Sequence, residues 1–199
     1  MKRLVPSVSL AIALAAVLAA CGTSNPVTTA PAQPEGSSGY TVKPGWATTK
    51  FAVAAANPLA TDAGYQILKA GGSAIDAAIA VQMVLTLVEP QSSGIGGGAF
   101  LLHATGSKVE AFDGRETAPM AANEKLFIGA DEKPLPFYDA VVGGRPVGTP
   151  GVVKMLELVH RQHGKLPWAQ LFTPAIELAD NGFKVSARLA NLLKDEKYL

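Results

Sequence analysis

The 199 residues contain a single cysteine, Cys21, so no intrachain disulfide can form. Charge of one sign is also missing: 17 basic residues stand against 16 acidic ones, for a net +1, and no basic stripe gathers in the chain. That balance gives no footprint for nucleic acid. No apolar run reaches the roughly 20 residues of a membrane span. Hydrophobic residues nevertheless make up 48% of the chain, enough for a sizeable core in one ordinary domain or part of a larger one.

The first 20 residues have the layout of a secretory signal: Lys2 and Arg3, then an apolar run from Leu4 to Ala20. The run closes on Leu18-Ala19-Ala20-Cys21, which resembles the bacterial lipoprotein box, with cleavage before Cys21 and lipid on its sulfur. A simple signal peptide with a chance cysteine is the alternative. Residues 21–46 then read as a lipidated cysteine and a tether, rich in Thr, Ser, Pro and Gly and too poor in apolar residues to fold. Gly22, rather than aspartate, follows the cysteine; by analogy with other lipoproteins this favours the outer membrane, facing the periplasm. Residues 47–199 carry the folded part.

There, Lys50 to Ala56 reads as a short buried strand. Asn57 caps a helix with Pro58 at its first position, and Gly71-Gly72 stops it. Ser73 and Asp76 form a capping box for a second helix, Ala74 to Val88, apolar on nearly all faces and therefore buried. Pro90 ends it. Ala99–Ala104 and Lys108–Phe112 read as strands of a hairpin turning at Thr105-Gly106-Ser107. Pro119 to Gly148 lacks periodicity and reads as loop. Helices follow from Thr149-Pro150 to His163, from Pro167 to Ala179, and after a Ser186 cap. The last has no stop signal before Leu199, so a longer protein is expected.

Two stretches carry the chemistry. Glu89-Pro90-Gln91-Ser92-Ser93-Gly94-Ile95-Gly96-Gly97-Gly98 joins the apolar helix to the first hairpin strand, with four glycines in five positions. Such a loop either adopts φ > 0 and offers bare N–H groups to a ligand or lets packed layers approach closely. Its loose G-x-G-x-x-A match is no dinucleotide fingerprint, because the helix precedes and the strand follows. The second stretch, Asp113-Gly114-Arg115-Glu116-Thr117-Ala118-Pro119, presents an arginine in a turn. Arg115 could clamp a substrate carboxylate through its planar fork of donors. On the residues alone, an ion pair with Asp113 or Glu116 is the favoured reading. His160 and His163 lie three apart on a helix, a spacing that could offer two metal ligands, but no cysteine or acidic residue at a matching spacing completes a set. They read as a solvated face, His103 as an ordinary strand residue, and Thr48-Thr49 as a polar approach to the first strand rather than a threonine nucleophile. No metal or cofactor site is expected.

These motifs in order resemble the γ-glutamyltranspeptidase family. The likeness rests on Asn57 to Gly64, Ile67 to Ala80, Val88 to Gly98, Asp113 to Pro119, Gly148-Thr149-Pro150-Gly151 and Pro174 to Ala179. It runs from about Phe51 to Leu193 and matches the start of the large subunit. The resemblance implies an α+β fold, the four-layer αββα sandwich of N-terminal-nucleophile hydrolases, of which this is an incomplete N-terminal portion. It implies a precursor that cuts itself into large and small subunits, freeing a threonine that attacks the γ-glutamyl amide of glutathione or a related compound. Water, an amino acid or a peptide then accepts the glutamyl group. The resemblance moves Arg115 from ion pair to carboxylate binder, with Thr117 steadying it. It places the nucleophile beyond Leu199, so this stretch alone is expected to be inactive. Acylases of cephalosporins and enzymes of poly-γ-glutamate share the same implied scaffold, and a lipid-tethered carboxylate-binding module without chemistry stays open beside them.

Overall fold

A computed structural model describes residue 45, residues 47–194 and residue 196. The signal-like run, Cys21 and most of the tether lie outside the described residues. Residues 44–199 form one compact unit. Its elements are α1 (Pro58–Lys69), α2 (Ala74–Val88), β1 (Ala99–Thr105), β2 (Lys108–Gly114), α3 (Phe137–Val141), α4 (Val152–His163), a 3₁₀ turn (Trp168–Phe172), α5 (Thr173–Asn181) and α6 (Ala187–Lys194). No described helix is long and apolar enough to cross a membrane.

Helix α2 is the axis of the unit. Ile79, Ala80 and Val84 are fully buried, as its all-round apolar sequence requires. One side meets Ala60 and Ala63 of α1 through Val84 and Val88; another meets Met155, Leu156 and Val159 of α4 and Leu171 of the 3₁₀ turn. Full burial of side chains such as Ile79, Val159 and Leu171 contributes about 1.5–3 kcal/mol each. Gly64 lets α1 approach α2, since a Cβ there would stand 2.6 Å from Val81.

Both helix starts are built as their sequences require, and each is tied to a distant segment. Asn57 Oδ1 accepts from the N–H of Leu59 at 3.0 Å while its Nδ2 donates to buried Glu89 at 3.0 Å. The reciprocal capping box of Ser73 and Asp76 is complete. Asp76 Oδ2 also accepts from the N–H groups of Lys165 (2.9 Å) and Leu166 (3.1 Å), so one carboxylate joins the start of α2 to the turn after α4.

β1 and β2 pair antiparallel, Leu101 opposite Phe112 and His103 opposite Glu110. Ala99, Leu101 and Phe112 pack on the core, whereas Phe100, Leu102 and Val109 on the other face are exposed. The hairpin is therefore covered on one face only, because helices lie on just one side of it among the described residues.

Three further expectations need correction. Residues 51–56 form no strand: burial alternates residue by residue as in a strand, but no ladder partner lies among the described residues. The helix expected from Pro167 is broken into the 3₁₀ turn and α5, because Pro174 has no N–H for a continuing ladder and suits a helix's first turn. Helix α4 opens at Val152, after Gly151, rather than at Thr149-Pro150. The 119–148 region is mostly loop, held by a bridge between Ile128 and Pro134 and interrupted by α3.

Candidate functional site

The turn after β2 is set by its own residues. Asp113 Oδ1 accepts from the N–H of Arg115 at 2.9 Å, folding the chain back at the strand end. Gly114 is buried against α4, where a Cβ would sit 2.7 Å from that of Met155. Arg115 is thereby set at the lip of the sheet, and its Nη1 donates to Glu116 Oε2 at 2.7 Å.

The glycine loop comes directly against this turn. A Cβ on Gly98 would fall 2.6 Å from Glu116 Oε2 and 2.7 Å from both Arg115 Cα and the Gly114 carbonyl oxygen. The Gly97 carbonyl accepts from the N–H groups of Gly151 and Val152, both at 3.2 Å, which holds the start of α4. Gly148 packs on Glu116 in the same way, with room for no Cβ beyond 2.9 Å, and Thr117 and Thr149 bridge back to back. Of the two roles open to the loop, close approach is the one realised at Gly98. Among the described residues the positive φ values belong to Gly71, Gly106, Gly143, Gly182 and Glu132, not to the loop.

A pocket of about 430 Å³ opens beside the turn, lined by Gly96, Arg115, Glu116, Phe127, Arg145 and Gly148 among others. The Arg115 side chain is 64% exposed and Glu116 29%; the ion pair favoured on local grounds is present, and both residues line the pocket. The guanidinium's partner is Glu116; Thr117, expected to steady it, is engaged through its backbone with Thr149. Arg145 adds a second cation on the same wall, its Nη1 donating to the Leu126 carbonyl at 2.6 Å. Nothing local in Gly143-Gly144-Arg145-Pro146 signalled it; the pocket forms only when residues 126–127 and 145–148 are brought to the arginine turn. Two arginines with one carboxylate between the segments suit an anionic ligand with a planar carboxylate end.

The histidines are not on a solvated face. His160 lies inward, its Nε2 donating to the Leu166 carbonyl at 2.9 Å and standing 3.5 Å from Asp76 Oδ1, with its ring edge-on to Trp168. His163 turns instead to the hairpin, where its Nε2 is 3.2 Å from Glu110 Oε2 and its ring centroid 4.2 Å from that of His103. The helix thus separates the two histidines, while the hairpin register supplies the acidic residue that sequence spacing did not show. The hydrogen bond from Lys108, aided by its charge and that of His163, holds the Glu110 carboxyl below its ordinary pKa against a smaller opposing effect of burial.

Residues 60–199 match the model of the gamma-glutamyltranspeptidase family. The chain belongs to that family. It is 42% identical over 145 residues to the glutathione hydrolase proenzyme of Bacillus subtilis, covering 72% of this chain and 25% of that protein. Among solved structures, the gamma-glutamyltranspeptidase of Helicobacter pylori superposes with a TM-score of 0.72 at 35% identity, over 76% of this chain and 44% of that one. A cephalosporin acylase from Bacillus halodurans aligns at 42% identity and a TM-score of 0.60, over 67% of this chain and 24% of that one. The chain spans a quarter of the length of the curated relative.

The expected fold class stands: the helices and hairpin are a partial piece of the N-terminal-nucleophile hydrolase fold of this gamma-glutamyltranspeptidase family. The described residues supply one helical layer and two strands of the sandwich.

Proposed function

We propose that the protein carrying this chain is a γ-glutamyltransferase and glutathione hydrolase, and that Arg115 binds the α-carboxylate of the γ-glutamyl substrate. The observation that carries this is the placement of Arg115 on the pocket wall, fixed from behind by Gly98, Gly114 and Glu116. With its backbone fixed in this way, the arginine can offer a carboxylate two parallel N–H donors from its planar fork. Glu116 keeps one side of the fork occupied and sets its plane. In this reading a threonine beyond Leu199, freed by self-cleavage, attacks the γ-carbonyl. Its hydroxyl proton passes to its own α-amine, the amine leaving group departs protonated, and water or an amino-acid or peptide acceptor takes the glutamyl group. The small subunit of the same precursor supplies that nucleophile, and the 199-residue stretch alone gives no turnover.

The likeness to a cephalosporin acylase supports a second reading, in which the same arginine holds the carboxylate of a glutaryl-type side chain. We also propose that Cys21 anchors the protein to the cell envelope, facing the periplasm, on the strength of its lipoprotein-like box.

The test is kinetic. In the full-length protein, Arg115→Ala is expected to raise KM for γ-glutamyl-p-nitroanilide with a smaller change in kcat. Losing a charge partner that the complex desolvates costs about 2–5 kcal/mol, a KM roughly 30-fold higher or more. An unchanged KM removes Arg115 from the site. Faster release from a glutaryl than from a γ-glutamyl anilide selects the acylase reading.

A further inference from the structure

We propose that His103, Glu110 and His163 form a binding site for a divalent transition-metal ion of the zinc class, distinct from the Arg115 pocket. The three side chains come from β1, β2 and the last turn of α4, and each offers one ligand atom within 4.8 Å of the others. Glu110 Oε2 lies 3.2 Å from His163 Nε2 and 3.6 Å from His103 Nδ1. Two ligands of a tetrahedral zinc, each about 2.0–2.1 Å from the metal, stand roughly 3.4 Å apart. The two separations measured from Glu110 bracket that edge, and the third lies within 4.8 Å.

The chemistry of the three atoms points the same way. His103 Nδ1 and His163 Nε2 are both shut off from solvent and make no hydrogen bond. Two imidazole nitrogens therefore converge on one carboxylate oxygen, and a cation in place of the ring protons would engage all three atoms at once. Two nitrogens and one carboxylate are also the ligand types that zinc takes when a fourth position is left to water. Support comes from behind: Lys108 Nζ donates to Glu110 Oε1 at 2.9 Å and aims the other oxygen inward, while the edge of Phe112 packs on the His163 ring. Such outer contacts fix ligand orientation. The side chains remain 17–25% accessible, so the cluster lies near the surface rather than deep in the core. A metal here would clip the turn end of the hairpin to the end of α4.

The test uses the full-length protein, stripped of metal by chelation and titrated with Co(II), then with Zn(II). Expected are one Co(II) per chain with the visible absorption of a tetrahedral site, displaced by Zn(II), and a rise in Tm on adding Zn(II). His163→Gln and Glu110→Gln should each weaken Co(II) binding by about 100-fold or more, since even supporting contacts to a metal ligand are worth 10–100-fold. The parent titration needs no variant: absence of saturable binding, or of any zinc effect on Tm, overturns the proposal and leaves a histidine–carboxylate cluster only. Equal binding by parent and folded variants places the metal elsewhere and overturns it as well.

Discussion

Replacing Asp76 by alanine tests the tie that holds the start of α2 to the chain about 90 residues later. The side chain is 0% exposed, and Oδ2 accepts three backbone N–H groups: Ser73 at 2.8 Å, Lys165 at 2.9 Å and Leu166 at 3.1 Å. Hydrogen bonds to a charged group contribute about 1.5–3 kcal/mol each. Three would sum to more than that, but water can enter the space left by truncation and rescue part of the loss. We therefore expect Asp76→Ala to cost roughly 4 kcal/mol, a value in which the capping box alone accounts for about 1 kcal/mol. With a urea slope of about 2 kcal/mol per molar, the unfolding midpoint falls by about 2 M. Hydrogen exchange gives a local reading, in which the amides of Lys165 and Leu166 lose protection before those of α4. Asp76→Asn keeps an acceptor oxygen but turns an NH₂ toward His160 Nε2, itself a donor to Leu166, so it should fall between parent and alanine. A midpoint shift in Asp76→Ala below about 0.5 M, or unchanged protection at Lys165 and Leu166, would refute the reasoning.

Two further outcomes follow from the same structure and sequence. Gly98→Ala should destabilise by about 1–3 kcal/mol, because two of the atoms its Cβ would meet, Arg115 Cα and the Gly114 carbonyl, are backbone and cannot swing aside. It should also raise KM by displacing Arg115; thermal melts and anilide kinetics on one preparation check both, and a variant with parental Tm removes the close-packing role. Cys21→Ser should abolish incorporation of labelled palmitate and release the protein from the membrane fraction of a bacterial host, whereas labelling of the serine variant at parental level would dismiss the anchor.

The residues alone were enough for α1, α2 and the hairpin because their determinants are local. Asn57-Pro58, Ser73 with Asp76, and the Gly71-Gly72 stop define helix ends within a turn or two, and Thr105-Gly106-Ser107 sets a hairpin register that places His103 opposite Glu110. The order of motifs from Asn57 to Ala179 was likewise sufficient for the family. What required the tertiary structure was every property that depends on a partner distant in the chain. Residues 51–56 have the alternation of a strand, but a strand exists only where another chain segment accepts its hydrogen bonds. The histidines of α4 differ in role because one meets Asp76 and Trp168 and the other meets the hairpin, contacts that helical spacing does not encode. Arg145 joins Arg115 across 30 positions only through the folding of a loop without periodicity. Local backbone preference is written residue by residue, whereas a site is a meeting of side chains, and their meeting is decided by how the layers pack.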